Sequence, residues 1–120
     1  YAEVTEHSEN VFELIIKGAY GTFAEVKRRF EISDRGVVVR DRFMFNDNKK
    51  HSVTERFVTF TEPVTENGAV KIGAVKIICD GNPTVTKKTV KTQANKRDGE
   101  TVYTIDYGTD GTAFEAVFEI

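Results

Sequence analysis

The chain has 120 residues, a length that fits one domain and allows folding to bury about two-thirds of the surface that the unfolded chain exposes. Its composition, 39% hydrophobic and 30% charged with a formal net charge of −2, excludes a disordered chain and a surface built to bind polyanions over its whole extent, so nucleic acid is not an expected partner. No apolar run reaches the roughly 18 residues of a membrane span, and the single cysteine, Cys79, excludes an intrachain disulfide and leaves the cellular compartment undecided.

Alternation of apolar and polar residues with a period of two dominates the chain and predicts strands. The predicted strands, in chain order, are 2–6, 10–17, 22–32, 37–45, 51–61, 69–72, 75–79, 84–94, 101–107 and 112–120. The turn sequences GAYG, SDRG, NDNKK, ENG, DGNP, KRDGE and YGTDG separate nearly all of them, because glycine and asparagine accept the positive φ of tight turns. About ten short strands at hairpin spacing predict an all-β, antiparallel β-sandwich, with a closed barrel as the alternative.

The domain organisation follows from the even composition of the chain. No linker or low-complexity tract divides residues 1–120, so we expect one sandwich domain. The chain opens at Tyr1 without a methionine and stops within an apolar alternation at Ile120. We therefore expect a C-terminal fragment of a larger enzyme.

One predicted hairpin carries charges on its apolar face. The sequence RRFEISDRGVVVRDRF, residues 28–43, folds about the turn SDRG. A four-residue turn pairs Ile32 with Val37, Phe30 with Val39, Arg28 with Asp41, Val26 with Phe43 and Ala24 with Phe45. A shift of pairing by two residues still leaves Arg28 diagonal to Asp41 on the same face. Either register lets the two charges meet.

The following hairpin brings a second acid toward this pair. A loop over residues 46–50 would place Asp41 opposite Glu55, Phe43 opposite Val53 and Phe45 opposite His51. A slip of one residue would instead send Arg56, Val58 and Phe60 inward, and the sequence leaves both registers open.

A charge on a core face must be paired or ligated, because an uncompensated one costs several kcal/mol. The first interpretation is a structural buried ion pair formed by Arg28, Asp41 and Glu55. The second is a metal or substrate site, for which Asp41, His51 and His7 have the number and type of ligands that a divalent metal requires.

The segment TVTKKTVKTQANKR, residues 84–97, contains no acid. Its apolar residues fall on opposite faces, which is typical of a solvated edge strand that lysines protect against further pairing. The functional alternative is a contact surface for an anionic glycan. Its basic residues are Lys87, Lys88, Lys91, Lys96 and Arg97.

The sequence offers residues for two other kinds of site. Cys79 with His51 or His7 would give a nucleophile and a base, but the thiol lies in an apolar strand, where burial makes it an inert core residue. An autonomous carbohydrate-binding module stacks sugars on exposed aromatic residues. The chain has no tryptophan, although Tyr20, Tyr103 and Tyr107 remain available.

The run VKRRFEISDRGVVVRDRFMF, followed by HSVTERFVTFTEP, resembles the C-terminal β-sandwich region of heparinase II/III-like polysaccharide lyases. The resemblance is best over residues 26–63 and extends more loosely through YTIDYGTDGTAFEAVFEI to the end of the chain. It implies a bacterial enzyme in which an N-terminal (α/α) toroid carries most of the machinery for β-elimination of uronic-acid glycans.

In such an enzyme the sandwich packs against the toroid and lines the glycan cleft, so an anionic polysaccharide and the toroid are the expected partners. A divalent metal bound by His/Asp/His occurs in some members, and Asp41, His51 and His7 are the positions that match it. The resemblance favours a secreted or periplasmic location, with the cytoplasm as the alternative. β-Elimination needs a base, an acid and neutralisation of the uronate charge. We expect no lyase activity from the chain alone.

Overall fold

A computed structural model describes residues 2–17, 23–47, 49–90 and 99–120 of the chain. It contains eleven strands and, in these ranges, no helix. The strands are β1 Ala2–His7, β2 Val11–Lys17, β3 Phe23–Ser33, β4 Gly36–Phe45, β5 Val53–Thr59, β6 Val64–Glu66, β7 Ala69–Ile72, β8 Val75–Cys79, β9 Thr84–Val90, β10 Glu100–Thr109 and β11 Ala113–Glu119. The predicted all-β, antiparallel sandwich is confirmed.

The strands form two antiparallel sheets of unequal width. The large sheet has eight strands in the order β1-β2-β3-β4-β11-β8-β7-β6, and the small sheet has three in the order β5-β10-β9. Strand β11, at the far end of the sequence, pairs with both β4 and β8. Strand β11 therefore joins strands β1 to β4 to strands β6 to β8 in one sheet.

The hairpin β3–β4 has the register that the sequence predicts. Ile32 pairs with Val37, Phe30 with Val39, Arg28 with Asp41 and Val26 with Phe43. The predicted pairing of Ala24 with Phe45 is wrong, because the register shifts between Phe23 and Glu25 and brings Phe23 opposite Phe45. An extra residue in one strand is the ordinary cause of such a shift.

The predicted hairpin between β4 and β5 is also wrong. Strand β5 pairs with β10 in the small sheet, and β4 pairs with β3 and β11. The predicted face of β5 is nevertheless the inward one, since Glu55 is buried and Val53 and Phe57 are half-buried, whereas Val58 is exposed. Of the two faces that the sequence left open for β5, the structure buries the one that carries Glu55.

Two tight hairpins follow from the turn chemistry. The dipeptide Asn67-Gly68 joins β6 to β7 with positive φ at both residues, as a type I′ turn requires. Gly73, at φ 59°, begins the turn between β7 and β8. Strand β6 itself was not predicted, because it is only three residues long and follows Pro63.

The core lies where the small sheet covers the middle of the large one. Its fully buried members come from β4, β7, β8, β10 and β11. They are Phe43, Val70, Ile77, Ile105, Tyr107, Phe114 and Ala116. Phe57 of β5 adds edge-to-face contacts, with ring centroids 5.2 Å from Phe118 and 6.1 Å from Tyr107, a geometry that aromatic pairs prefer.

Candidate functional site

A bidentate ion pair lies on the inner face of the large sheet. Arg28 of β3 donates from Nε to Oδ1 of Asp41 and from Nη2 to Oδ2, both at 2.7 Å. Direct pairing of the two residues across β3 and β4 sets this geometry. Asp41 is 1% exposed, and the Arg28 side chain is 34% exposed. Paired N–H donors of one guanidinium thus hold a buried carboxylate, which is the strongest arrangement for this pair of residues.

The third member of the cluster comes from the opposite sheet. Nη2 of Arg28 also donates to Oε2 of Glu55 at 3.3 Å, and Glu55 is 8% exposed. Because β5 belongs to the small sheet, Glu55 reaches Arg28 and Asp41 across the sandwich and not along a shared hairpin. The cluster therefore ties the two sheets together.

Glu55 keeps its proton at neutral pH. Burial, followed by the hydrogen bond and the negative charge of Asp41, raises the pKa of Glu55 to about 8, against the opposing effect of Arg28. Two carboxyl groups that share one site cannot both ionise cheaply. With Glu55 protonated, the charges of Arg28 and Asp41 balance, so the cluster of three residues carries no net charge.

Two cavities flank Arg28 along β5. One, of about 440 Å³, is lined by Ile16, Val26, Phe43 and residues 52–55, together with Arg28. The other, of about 490 Å³, is lined almost entirely by apolar side chains. These are Phe30, Val37, Val39, Phe57, Val75, Phe118 and Ile120, again with Arg28. Arg28 thus lies between two mainly apolar cavities, and a charged side chain beside an apolar cavity is typical of binding sites.

The structure does not bring His7, Asp41 and His51 together. His7 is in β1, opposite Phe12, and three strand spacings of about 4.8 Å separate β1 from the strand of Asp41. His51 stacks on Phe45, with ring centroids 4.1 Å apart, and its Nε2 lies 2.6 Å from Oδ1 of Asp47. The structure therefore places these three candidate ligands apart from one another. In the described ranges, no group of three or more His, Cys, Asp or Glu side chains is arranged to hold a metal.

Cys79 has surroundings that suppress a nucleophile. Its Sγ donates to the carbonyl oxygen of Asp80 at 3.3 Å. Burial, followed by the nearby negative charges of Asp80 and Glu115, raises the pKa of the thiol to about 11. A catalytic cysteine needs the opposite, an electropositive site that favours the thiolate.

The basic segment begins on an edge strand. All seven residues of β9 are exposed, including Lys87 and Lys88, and β9 ends the small sheet, so the predicted edge strand is confirmed for residues 84–90. The other basic residues of the proposed glycan surface, Lys91, Lys96 and Arg97, lie outside the described residues.

The outer face of the large sheet carries an ion-pair network that was not predicted. Arg29 donates to Glu6, Glu13 and Glu31, and Arg40 donates to Glu31 and Glu115. Burial raises the pKa of Glu13, but hydrogen bonds from Arg29 and Thr5 and the charge of Lys27 outweigh it and lower the pKa overall. The signal was present in the sequence, because these charges share the parity opposite to that of the core residues on their strands.

A comparison with protein-family models and with curated protein sequences finds no match. Within the described part of the chain, no helix has the length and apolar character that a bilayer crossing requires.

Proposed function

We propose that this chain is a noncatalytic β-sandwich domain of a polysaccharide lyase that resembles the heparinase II/III-like enzymes. In that role it supports an (α/α) toroid and lines one wall of the glycan cleft. The observation that supports the proposal is that charged residues of the segment resembling the lyases, residues 26–63, pair with one another. Arg28, Asp41 and Glu55 bind one another in the sheet interface, so they stabilise the fold and are not available as acid and base.

An exposed apolar surface offers a place for a neighbouring domain. Val58, Phe60 and Val64, from the end of β5 to the start of β6, are 63%, 72% and 57% exposed. Several large apolar side chains exposed within one short chain segment are a candidate interaction surface. We assign this surface to the contact with the toroid.

The open reading frame that encodes the chain tests directly whether the chain is part of a larger enzyme. Several hundred helix-rich residues before Tyr1 are expected, and a short protein built of repeated sandwich modules would refute the proposal.

An activity assay tests whether the isolated chain is noncatalytic. The isolated chain should form no unsaturated uronate from heparin, chondroitin sulfate or alginate, measured by its ultraviolet absorbance. Turnover by the isolated chain would contradict the noncatalytic role.

In the full-length enzyme, Phe60→Ser should lower the thermal stability of the toroid. Met44→Ser, at a residue that is also well exposed but lies in β4, should leave it unchanged.

The second candidate is a freestanding carbohydrate-binding or protein-interaction module. It is favoured by β9, whose lysines are exposed on an edge strand. Heparin fragments titrated at low salt should then bind in a salt-dependent way, and Lys87→Glu with Lys88→Glu should abolish binding. Lys71→Glu, at an exposed lysine of β7, is the matched control. Binding that the double variant leaves unchanged would exclude β9 as the contact surface.

A further inference from the structure

The turn between β6 and β7 presents a chemically reactive pair of residues to solvent. Asn67 is the only asparagine of the chain that a glycine follows. Both residues of the pair are exposed, and φ is 50° at Asn67 and 80° at Gly68. The last pair of the β6–β7 ladder is Glu66 with Ala69, so the two turn residues lie outside it. An exposed amide side chain therefore lies directly before a backbone N–H group whose residue has no side chain.

The space around Gly68 allows its backbone nitrogen to approach the side chain of Asn67. A Cβ built on Gly68 would meet no atom of the described residues within 4 Å, and glycine has the widest choice of φ and ψ. The turn at Asp110 and Gly111 is different. A Cβ on Gly111 would lie 2.0 Å from the carbonyl oxygen of His51, and Asp110 accepts two hydrogen bonds from Thr112. The residues of that turn are therefore held in place.

We propose that Asn67 is a site of spontaneous deamidation. The backbone nitrogen of Gly68 attacks Cγ of Asn67 and loses its proton, and the side-chain nitrogen leaves as ammonia, so that a succinimide ring closes. Water then opens the ring at one of its two carbonyl carbons. Attack at the side-chain carbon gives aspartate. Attack at the backbone carbon gives isoaspartate, in which the main chain runs through the former side chain.

The isoaspartate product is incompatible with the turn. It adds one carbon atom to the backbone of a two-residue loop, and the length of such a loop sets the register of the hairpin. Strand β6 has only three residues, all exposed, so little packing opposes a change of register. Isoaspartate should therefore release β6 from β7 and leave β7 as the last strand of the large sheet. The aspartate product keeps the loop length, and Asp-Gly suits the same turn.

Peptide mapping of the intact chain by mass spectrometry tests the site. The chain is held at mildly alkaline pH, which favours loss of the Gly68 amide proton, and isoaspartate is labelled with an isoaspartate methyltransferase. Asn67 should react at least about tenfold faster than Asn10 and Asn46, a barrier lower by roughly 1.4 kcal/mol. Both of these asparagines are also exposed, but valine and aspartate follow them. Asn67→Gly, which keeps residues that suit a type I′ turn, should abolish labelling of this turn.

A synthetic peptide of residues 62–72 shows the reaction without the fold. An unmodified Asn67 in the folded chain after the peptide has reacted would overturn the inference, because the turn would then protect the side chain. Equal rates at the three asparagines would overturn it as well.

Hydrogen exchange tests the consequence for the hairpin. In chains that carry isoaspartate at position 67, the amides of the β6–β7 ladder should lose protection at least about tenfold, or roughly 1.4 kcal/mol in the free energy of opening. The amides of the β3–β4 ladder should keep theirs. Asn67→Asp is the matched control, since it adds the same charge without lengthening the backbone. Unchanged protection with isoaspartate, or an equal loss in Asn67→Asp, would refute release of β6 by the longer loop.

Discussion

Replacing Asp41 by asparagine tests the buried ion pair most directly. Asp41 accepts two hydrogen bonds of 2.7 Å from one guanidinium, and its side chain is fully buried. Breaking a buried pair costs about 3–5 kcal/mol, but Arg28 is one-third exposed and water partly compensates it. We expect Asp41→Asn to lower the free energy of unfolding by about 2–4 kcal/mol. A loss of about 3 kcal/mol corresponds to roughly 10–15 °C in Tm for a domain of this size.

Glu55 gives this prediction a second signature. Burial raises the pKa of Glu55 most, and the hydrogen bond and charge of Asp41 raise it further, so in Asp41→Asn the Glu55 carboxyl ionises more readily and pairs with Arg28. The loss of stability should therefore be largest near pH 6 and smaller near pH 8. Urea unfolding followed by circular dichroism at both values measures it.

A matched control distinguishes the effect of burial on the stability of an ion pair from the effect of its bidentate geometry. Arg56 and Asp106 form an equally bidentate pair, with both distances 2.8 Å, on an exposed face of the small sheet. Asp106→Asn should cost less than about 1 kcal/mol, as solvated ion pairs do. A loss within about 0.5 kcal/mol of zero for Asp41→Asn, or a loss equal to that of Asp106→Asn, would refute the view that Asp41 is held in a buried pair.

Three further predictions concern single residues. The folded chain retains a proton on Glu55 that the unfolded chain releases above its ordinary pKa of 4.5, so stability should fall by up to about 1.4 kcal/mol per pH unit as the pH rises from about 5 to 8. Glu55→Gln should flatten this slope in urea unfolding at several pH values, and an unchanged slope would assign it to another group. Gly36→Ala should cost at least about 3 kcal/mol, because a Cβ would lie 1.8 Å from the carbonyl oxygen of Phe118 and φ is +147°. Gly73→Ala, with no atom within 4 Å of its Cβ and φ at +59°, should cost only about 1–2 kcal/mol; equal losses in thermal unfolding would contradict the steric reasoning. At pH 8, iodoacetamide should alkylate native Cys79 about 100-fold more slowly than in the urea-unfolded chain, since the pKa is about 11 against an ordinary 9.0, and equal rates would show an accessible thiolate.

The sequence by itself determined the local structure of this protein. Alternation identified ten of the eleven strands, and the turn SDRG limited Arg28 and Asp41 to two registers that both put them on one face, because a short turn allows few registers and each register dictates which side chains share a face. Asn67-Gly68 determined a hairpin for the same reason.

Only the tertiary structure decided which strands became neighbours over long distances in the chain. Alternation offered two possible inward faces for β5 and carries no information about its partner; the structure buries the face of Glu55 and pairs the strand with β10. Strand β11 takes the place beside β4, so β5 crosses to the small sheet and Glu55 approaches Asp41 from above. The narrowness of that small sheet, and hence the two cavities beside Arg28, depends on how the eleven strands of the described residues divide between two layers, which is set by the packing of the whole core and not by any local pattern.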